Sequence, residues 1–137
     1  MVYTKQETDK IGRDGETHAF RYLKDKYLKK HHEVRWLNRG TEAYLHYDFV
    51  VYDINNHTNL YYEAKTSSNP SKEWFLISPD QYDEAAKFGP LYTILHIHQL
   101  DLRDPDEDKH WRVTEYNDPT QNPNLKLSMT KVRRLPD

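Results

Sequence analysis

Two apolar segments joined by a polar turn constrain this chain most: Tyr47-Asp48-Phe49-Val50-Val51-Tyr52 and Leu60-Tyr61-Tyr62-Glu63-Ala64-Lys65. Both are rich in aromatic and β-favouring residues, and Asn55-Asn56-His57-Thr58-Asn59 lies between them. The pair therefore reads as a hairpin with a loop longer than the tightest types. Side chains alternate along a strand, so Glu63 and Lys65 face the same way. An acid opening one strand and Glu-x-Lys closing the next bring Asp48, Glu63 and Lys65 within reach of one another. Carboxylates are what hard divalent cations bind. A lysine beside them can position a water or stabilise growing negative charge. Metal-dependent phosphodiester cleavage needs those parts together. The plainer reading of Glu63 and Lys65 is a charge pair on a solvated sheet face. Their apolar neighbours predict partial burial instead, where a charge needs a partner. Asp48 also suits a turn at a strand edge.

A chain of 137 residues is long enough for one domain with a substantial core. We assign the whole chain to one domain, with its core over about residues 8–100 and C-terminal additions over 101–137. With 31% charged and 36% hydrophobic residues the surface should be extensive and polar, and 11 tyrosines supply much of the apolar area. The absence of cysteine excludes disulfides and thiolate metal sites, and is in keeping with an intracellular location, cytoplasmic or nuclear. No apolar run is long enough to span a bilayer and no signal-peptide core follows Met1, so no membrane partner is expected. The net charge of −2 argues against a broadly basic coat but leaves a local basic groove open. Both a homodimer and a place within a larger multidomain protein remain open.

Thr8 to His31 reads as a long first helix, with Ala19, Phe20, Leu23 and Tyr27 on one face. Glu16 falls on that same apolar face, and Gly12 and Gly15 just before it suggest close backbone contact. Val34-Arg35-Trp36-Leu37 is a plausible first strand, followed by a loop to His46. After the hairpin, Ser67 to Ser71 is a loop, and Trp74-Phe75-Leu76-Ile77 is a short strand or a cleft floor. Ser78-Pro79-Asp80-Gln81 is the clearest helix start: an N-cap serine, proline at the first helical position and a capping-box glutamine. Tyr82, Ala85 and Ala86 form its predicted inner face, and Gly89-Pro90 ends it. Leu91 to Ile97 is a fourth strand. Asp104 to Asp108 is an acidic loop, Trp111 to Thr114 another candidate strand, residues 118–124 irregular, and Leu125 to Val132 a returning strand or a tail. The order αβββαβ predicts an α/β fold with a mixed central sheet flanked by helices.

Taken in order, Gly12-x-x-Gly15-Glu16, Val34-Arg35-Trp36-Leu37-Asn38, Tyr47-Asp48-Phe49, Glu63-Ala64-Lys65-Thr66-Ser67 and Phe75-Leu76-Ile77-Ser78 resemble the PD-(D/E)XK nuclease superfamily. More narrowly they resemble the DUF3883 family, the domain found at the end of NO VEIN-type proteins. The resemblance covers about residues 11–100. It implies a restriction-endonuclease-like αβββαβ core and a Mg²⁺- or Mn²⁺-dependent endonuclease acting on DNA or RNA. Asp48, Glu63 and the Ala64 carbonyl would hold the ion, Lys65 would be the catalytic lysine, and Glu16 the supporting acid of the first helix. The products would carry a 5′-phosphate. Tyr47, not proline, precedes Asp48, although that proline is often missing in the superfamily, and Ala85 breaks the Gln-x-x-x-Tyr pattern of some relatives, the recombination-type exonucleases.

Other residues divide between ordinary and functional roles. Glu16 either pairs with Arg13 one turn earlier or serves the site. Thr66 and Ser67 either leave the strand or donate to a phosphate. Gln81 either only caps its helix or also touches substrate. Trp74 and Tyr82 suit core or cleft wall better than a base-stacking platform. Arg35, Arg39 and Lys72 lie near the predicted site, and Lys24, Lys26, Lys29, Lys30, Lys131, Arg133 and Arg134 form basic clusters. Each is a candidate phosphate contact and, by default, solvated surface. His31-His32 sits at the predicted helix end, where cations suit the dipole. His96 and His98 share a strand face, read as half-exposed on an edge strand rather than as a zinc or manganese pair. His46, two before Asp48, would favour manganese if it reached the ion. The rival to a nuclease is a catalytically weak nucleic-acid- or protein-binding module of the same fold; a third reading is an interaction domain whose strand edges or acidic loop contact a protein.

Overall fold

The computed structural model describes residues 5–37, 47–67, 77–99 and 111–125. Asn38, Arg39, His46, Ser68–Ser71, Lys72, Trp74–Leu76, the acidic loop, the tail after Leu125 and the basic residues 131–134 lie outside the described residues. The elements are α1 (Lys5–Lys26), β1 (His32–Trp36), β2 (Phe49–Asp53), β3 (Thr58–Ser67), α2 (Pro79–Phe88), β4 (Tyr92–Gln99) and β5 (Trp111–Asn117). The five strands form one mixed sheet in the order β1-β2-β3-β4-β5. Every neighbouring pair is antiparallel except β3 and β4, which run parallel with α2 between them in sequence. A parallel pair needs a long crossover, and α2 with its flanks supplies it.

Helix α1 buries Ala19 and Leu23 against Phe49, Val51, Tyr62, Leu95 and Ile97, with Phe20 and Tyr27 packed alongside. Burial of each large apolar side chain contributes about 1.5–3 kcal/mol, so this face anchors the helix. The helix stops at Lys26, five residues short of the predicted His31. Tyr27 is the last residue with something to pack on, its hydroxyl bonding that of Tyr62, whereas Leu28 is exposed. The amides of His31 and His32 both donate to the Leu28 carbonyl, which reverses the chain into β1. The two histidines therefore lie beyond the helix, and Lys24 and Lys26 are the cations in its last turn.

Gly15 and Gly12 separate sharply. A Cβ on Gly15 would sit 2.0 Å from Thr66 Oγ1 and 2.8 Å from Thr66 Cβ, so the α1 backbone lies directly against the Thr66 side chain of β3 there. A Cβ on Gly12 would meet nothing within 4 Å, which corrects the expectation that both glycines are close-contact positions.

The β2–β3 hairpin closes through Ile54–His57. Asp53 Oδ1 accepts from the amides of Asn55 (3.0 Å) and Asn56 (3.1 Å), and His57 takes a positive φ of 53°. β3 extends to Ser67, so Thr66 and Ser67 pair with Ile97 and His98 instead of leaving the strand. On the far face from α1, Ile77, Ala85, Tyr92 and Ile94 form a second core, with Tyr82 and Phe88 packed on it. Ala86, predicted to face inward, is exposed. The inner face of α2 runs 82, 85, 88, because Phe88 stacks on Tyr61 at 4.1 Å. β4 is an inner strand and His96 is fully buried, so the edge-strand reading of the two histidines does not hold.

Candidate functional site

Asp48 is clamped before it can act. Its amide donates to the Tyr62 carbonyl at 2.8 Å, and its own carbonyl accepts from Leu37 at 2.9 Å. Its carboxylate Oδ2 accepts from the Ala64 amide at 2.9 Å. β2 thus begins in register with β3, and Asp48 stands beside Glu63.

Glu63 is 7% exposed. Burial, first, and then the neighbouring Asp48 charge push its carboxyl well above the usual carboxylate range, and Lys65 acts in the opposite sense. A hydrogen bond between the two carboxyl groups also favours the protonated form. Lys65 Nζ lies 3.8 Å from Glu63 Oε1 and donates to Gln81 Oε1 at 3.1 Å.

Gln81 does two things at once. Its amide donates to Ser78 Oγ at 3.1 Å while its Oε1 accepts from the Ser78 amide at 3.1 Å, the reciprocal capping box. The same oxygen receives Lys65. The start of α2 is thereby tied to the lysine, a link the spacing alone did not reveal. Gln81→Ala is expected to lower stability by about 1 kcal/mol through the lost cap, read as a lower melting temperature, and to free Lys65 Nζ.

Glu16 joins the acids from α1. Burial and then the Asp48 charge raise its carboxyl to about 7, against the opposing effect of the Trp36 indole N–H. Asp48 and Trp36, rather than Arg13, are the groups that act on it. The folded chain holds this proton up to about pH 7, while the unfolded chain releases it near 4.5. Between those values the folded state binds more protons, so stability falls as pH rises. Solvent screening of a half-exposed carboxyl brings the effect to about 1 kcal/mol. Denaturant titrations in metal-free buffer across that window should show the fall in the parent chain and a smaller one in Glu16→Gln.

The remaining predicted residues fall in different places. Thr66 packs under Gly15, on the sheet face opposite Lys65. Ser67 shares the Lys65 face, and its hydroxyl is 3.1 Å from His96 Nε2. His96 Nδ1 in turn is 2.8 Å from His98 Nε2. This Ser67–His96–His98 chain, centred on the buried His96, was not foreseen, although the alternation that pairs Lys65 with Ser67 could have found it once β3 and β4 were set parallel. Burial, with the Arg112 charge, holds the His98 imidazole below its ordinary value and thus neutral. Tyr92 was also missed. It is buried beneath the acids, and burial together with the Glu63 and Asp48 charges keeps its hydroxyl protonated. Arg35 is on the exposed face of β1, bonded to Glu33 at 2.9 and 3.3 Å.

Among the described residues no three His, Cys, Asp or Glu side chains form a group able to hold a metal ion. The side chains that could contribute to a cation site here are those of Asp48 and Glu63. The pair fits a divalent ion in one respect: burial and the neighbouring Asp48 charge oppose ionisation of Glu63, which a cation between the two would reverse.

The family described as Protein NO VEIN, C-terminal, matches residues 15–113, a span that runs from Gly15 into β5. The chain belongs to this family. The protein NO VEIN-LIKE of Arabidopsis thaliana is 31% identical over 91 residues, covering 66% of this chain and 14% of that protein. The protein NO VEIN of the same plant is 29% identical over 91 residues, covering 66% of this chain and 3% of that protein. The chain therefore spans only a small part of these relatives' length. No solved structure matches it. The family span contains Glu16, Asp48, Glu63, Lys65, Gln81 and the Ser67–His96–His98 chain. No described helix is long and apolar enough to cross a membrane.

Proposed function

We propose that this NO VEIN C-terminal domain is a metal-dependent nuclease of the PD-(D/E)XK type, hydrolysing phosphodiester bonds in DNA or RNA. The observation that carries the reading is the carboxyl pair of Asp48 and Glu63, with Lys65 Nζ 3.8 Å from Glu63. The element order α1-β1-β2-β3-α2-β4 and the parallel β3–β4 pair agree with a restriction-endonuclease-like core. Asp48, Glu63 and the Ala64 carbonyl would hold Mg²⁺ or Mn²⁺. Such an ion supplies a polarised phosphate and an activated water.

The chain's own residues do the positioning. The Ala64 amide fixes the Asp48 carboxylate. Gln81 holds Lys65 Nζ on the acid face, where it can orient the attacking water or meet charge on the phosphate. Glu16 adds negative charge behind Asp48 when it ionises.

The test is cleavage of labelled single- and double-stranded DNA and RNA with Mg²⁺, with Mn²⁺ and with EDTA, beside Glu63→Ala and Lys65→Ala. Cutting that needs the metal and disappears in both variants supports the reading. Folded protein that binds these substrates equally in all three forms and cuts none of them overturns it in favour of a recognition module.

A further inference from the structure

The sheet face opposite α1 is shared unequally. Its β3–β4 side lies beneath α2 and the second core. Its β1–β2–β3 side carries a groove of about 480 Å³ whose lining includes Arg35, Tyr47, Val50, Tyr52 and Tyr61. Strand register sets where this groove leads. Arg35, Val50 and Tyr61 form one row across the three strands, and Tyr52 and Asn59 belong to the row behind it. Asp48 and Glu63 are two residues further along the same face of their strands. One such step is about 7 Å, a distance that one nucleotide of an extended strand can cover.

The chemistry of the lining selects the occupant. Duplex binding draws its affinity from Lys and Arg set against phosphates. Here the net charge is −2, and the one cation among the groove's described lining residues, Arg35, is already held by Glu33. What the groove offers is aromatic surface. Tyr61 is braced by Phe88 and, edge-on at 4.8 Å, by Tyr47. The Tyr52 hydroxyl is held by His57 Nδ1 at 2.9 Å. Rings ordered in advance lose little entropy on binding. Each stacked base is worth about 1–3 kcal/mol, but only an unpaired base can stack. We propose that this groove binds the unpaired bases of single-stranded nucleic acid and presents the adjoining phosphodiester to Asp48 and Glu63. The second half of that statement rests on the nuclease reading; the first does not.

The experiment measures fluorescence anisotropy of a short labelled oligonucleotide, single-stranded and as a hairpin duplex, in EDTA so that cutting plays no part. Tyr52→Leu keeps apolar volume and removes the ring, and should weaken single-strand binding about tenfold. Tyr52→Phe keeps the ring and loses only its hydroxyl bond to His57, so it should retain most of the affinity, which separates loss of stacking from loss of fold. Duplex bound as tightly as single strand, or folded Tyr52→Leu binding like the parent, overturns the groove. Tyrosine-dependent single-strand binding without metal-dependent cutting supports the groove and overturns the nuclease reading.

Discussion

Gly15→Ala is expected to destabilise the chain by about 3 kcal/mol, lowering the melting temperature by about 10 °C. The added methyl would overlap Thr66 Oγ1 at 2.0 Å, Cγ2 at 2.6 Å and Cβ at 2.8 Å. Rotating Thr66 moves its hydroxyl and methyl but not its Cβ, so β3 and α1 must part. That strains the packing of Ala19 and Leu23 and shifts Glu16, the next residue, relative to Asp48. Gly12→Ala, three residues earlier in the same helix, should be neutral or stabilising by up to about 1 kcal/mol, because alanine is the better helix former and nothing lies in its way. A double-mutant cycle sharpens the test: with Thr66→Gly in place, Gly15→Ala should cost much less. Equal melting shifts for Gly12→Ala and Gly15→Ala would refute the close approach.

Glu63→Gln should move stability and activity in opposite directions. Ionising Glu63 opposes both its burial and the Asp48 charge. An amide of nearly the same shape can donate to Asp48 and carries no charge. In metal-free buffer near neutral pH the variant should be more stable by about 1–2 kcal/mol, read as a higher melting temperature. On the proposed nuclease reading, metal-dependent cleavage should fall by about a thousandfold. Glu63→Ala should lose the activity without the gain, since it leaves Asp48 facing a void. Stability sacrificed at such a pair is the usual signature of a site kept for chemistry. A Glu63→Gln chain that melts no higher than the parent would show that the buried carboxyl is already well compensated.

Local rules carried far in this chain. The Ser78–Gln81 capping box formed as expected because its partners are three residues apart and need nothing else. The Asp48, Glu63 and Lys65 cluster was legible because a hairpin and strand alternation bring those residues together by local geometry. The end of α1 was not legible. Propensity continues past Lys26, and only the lack of a surface beneath Leu28 stops the helix.

By itself the sequence determined the αβββαβ order, the hairpin, the second helix with both its ends, and which charged residues share a strand face. Each follows from spacing of a few residues. The tertiary structure alone decided that β3 and β4 run parallel and inside the sheet, and that His96 is therefore buried and bonded to Ser67. It also decided that the capping glutamine holds Lys65, and that one glycine of two meets a strand. Those contacts join residues far apart in the chain, and their geometry depends on how a helix and a sheet settle against each other, which no local pattern encodes.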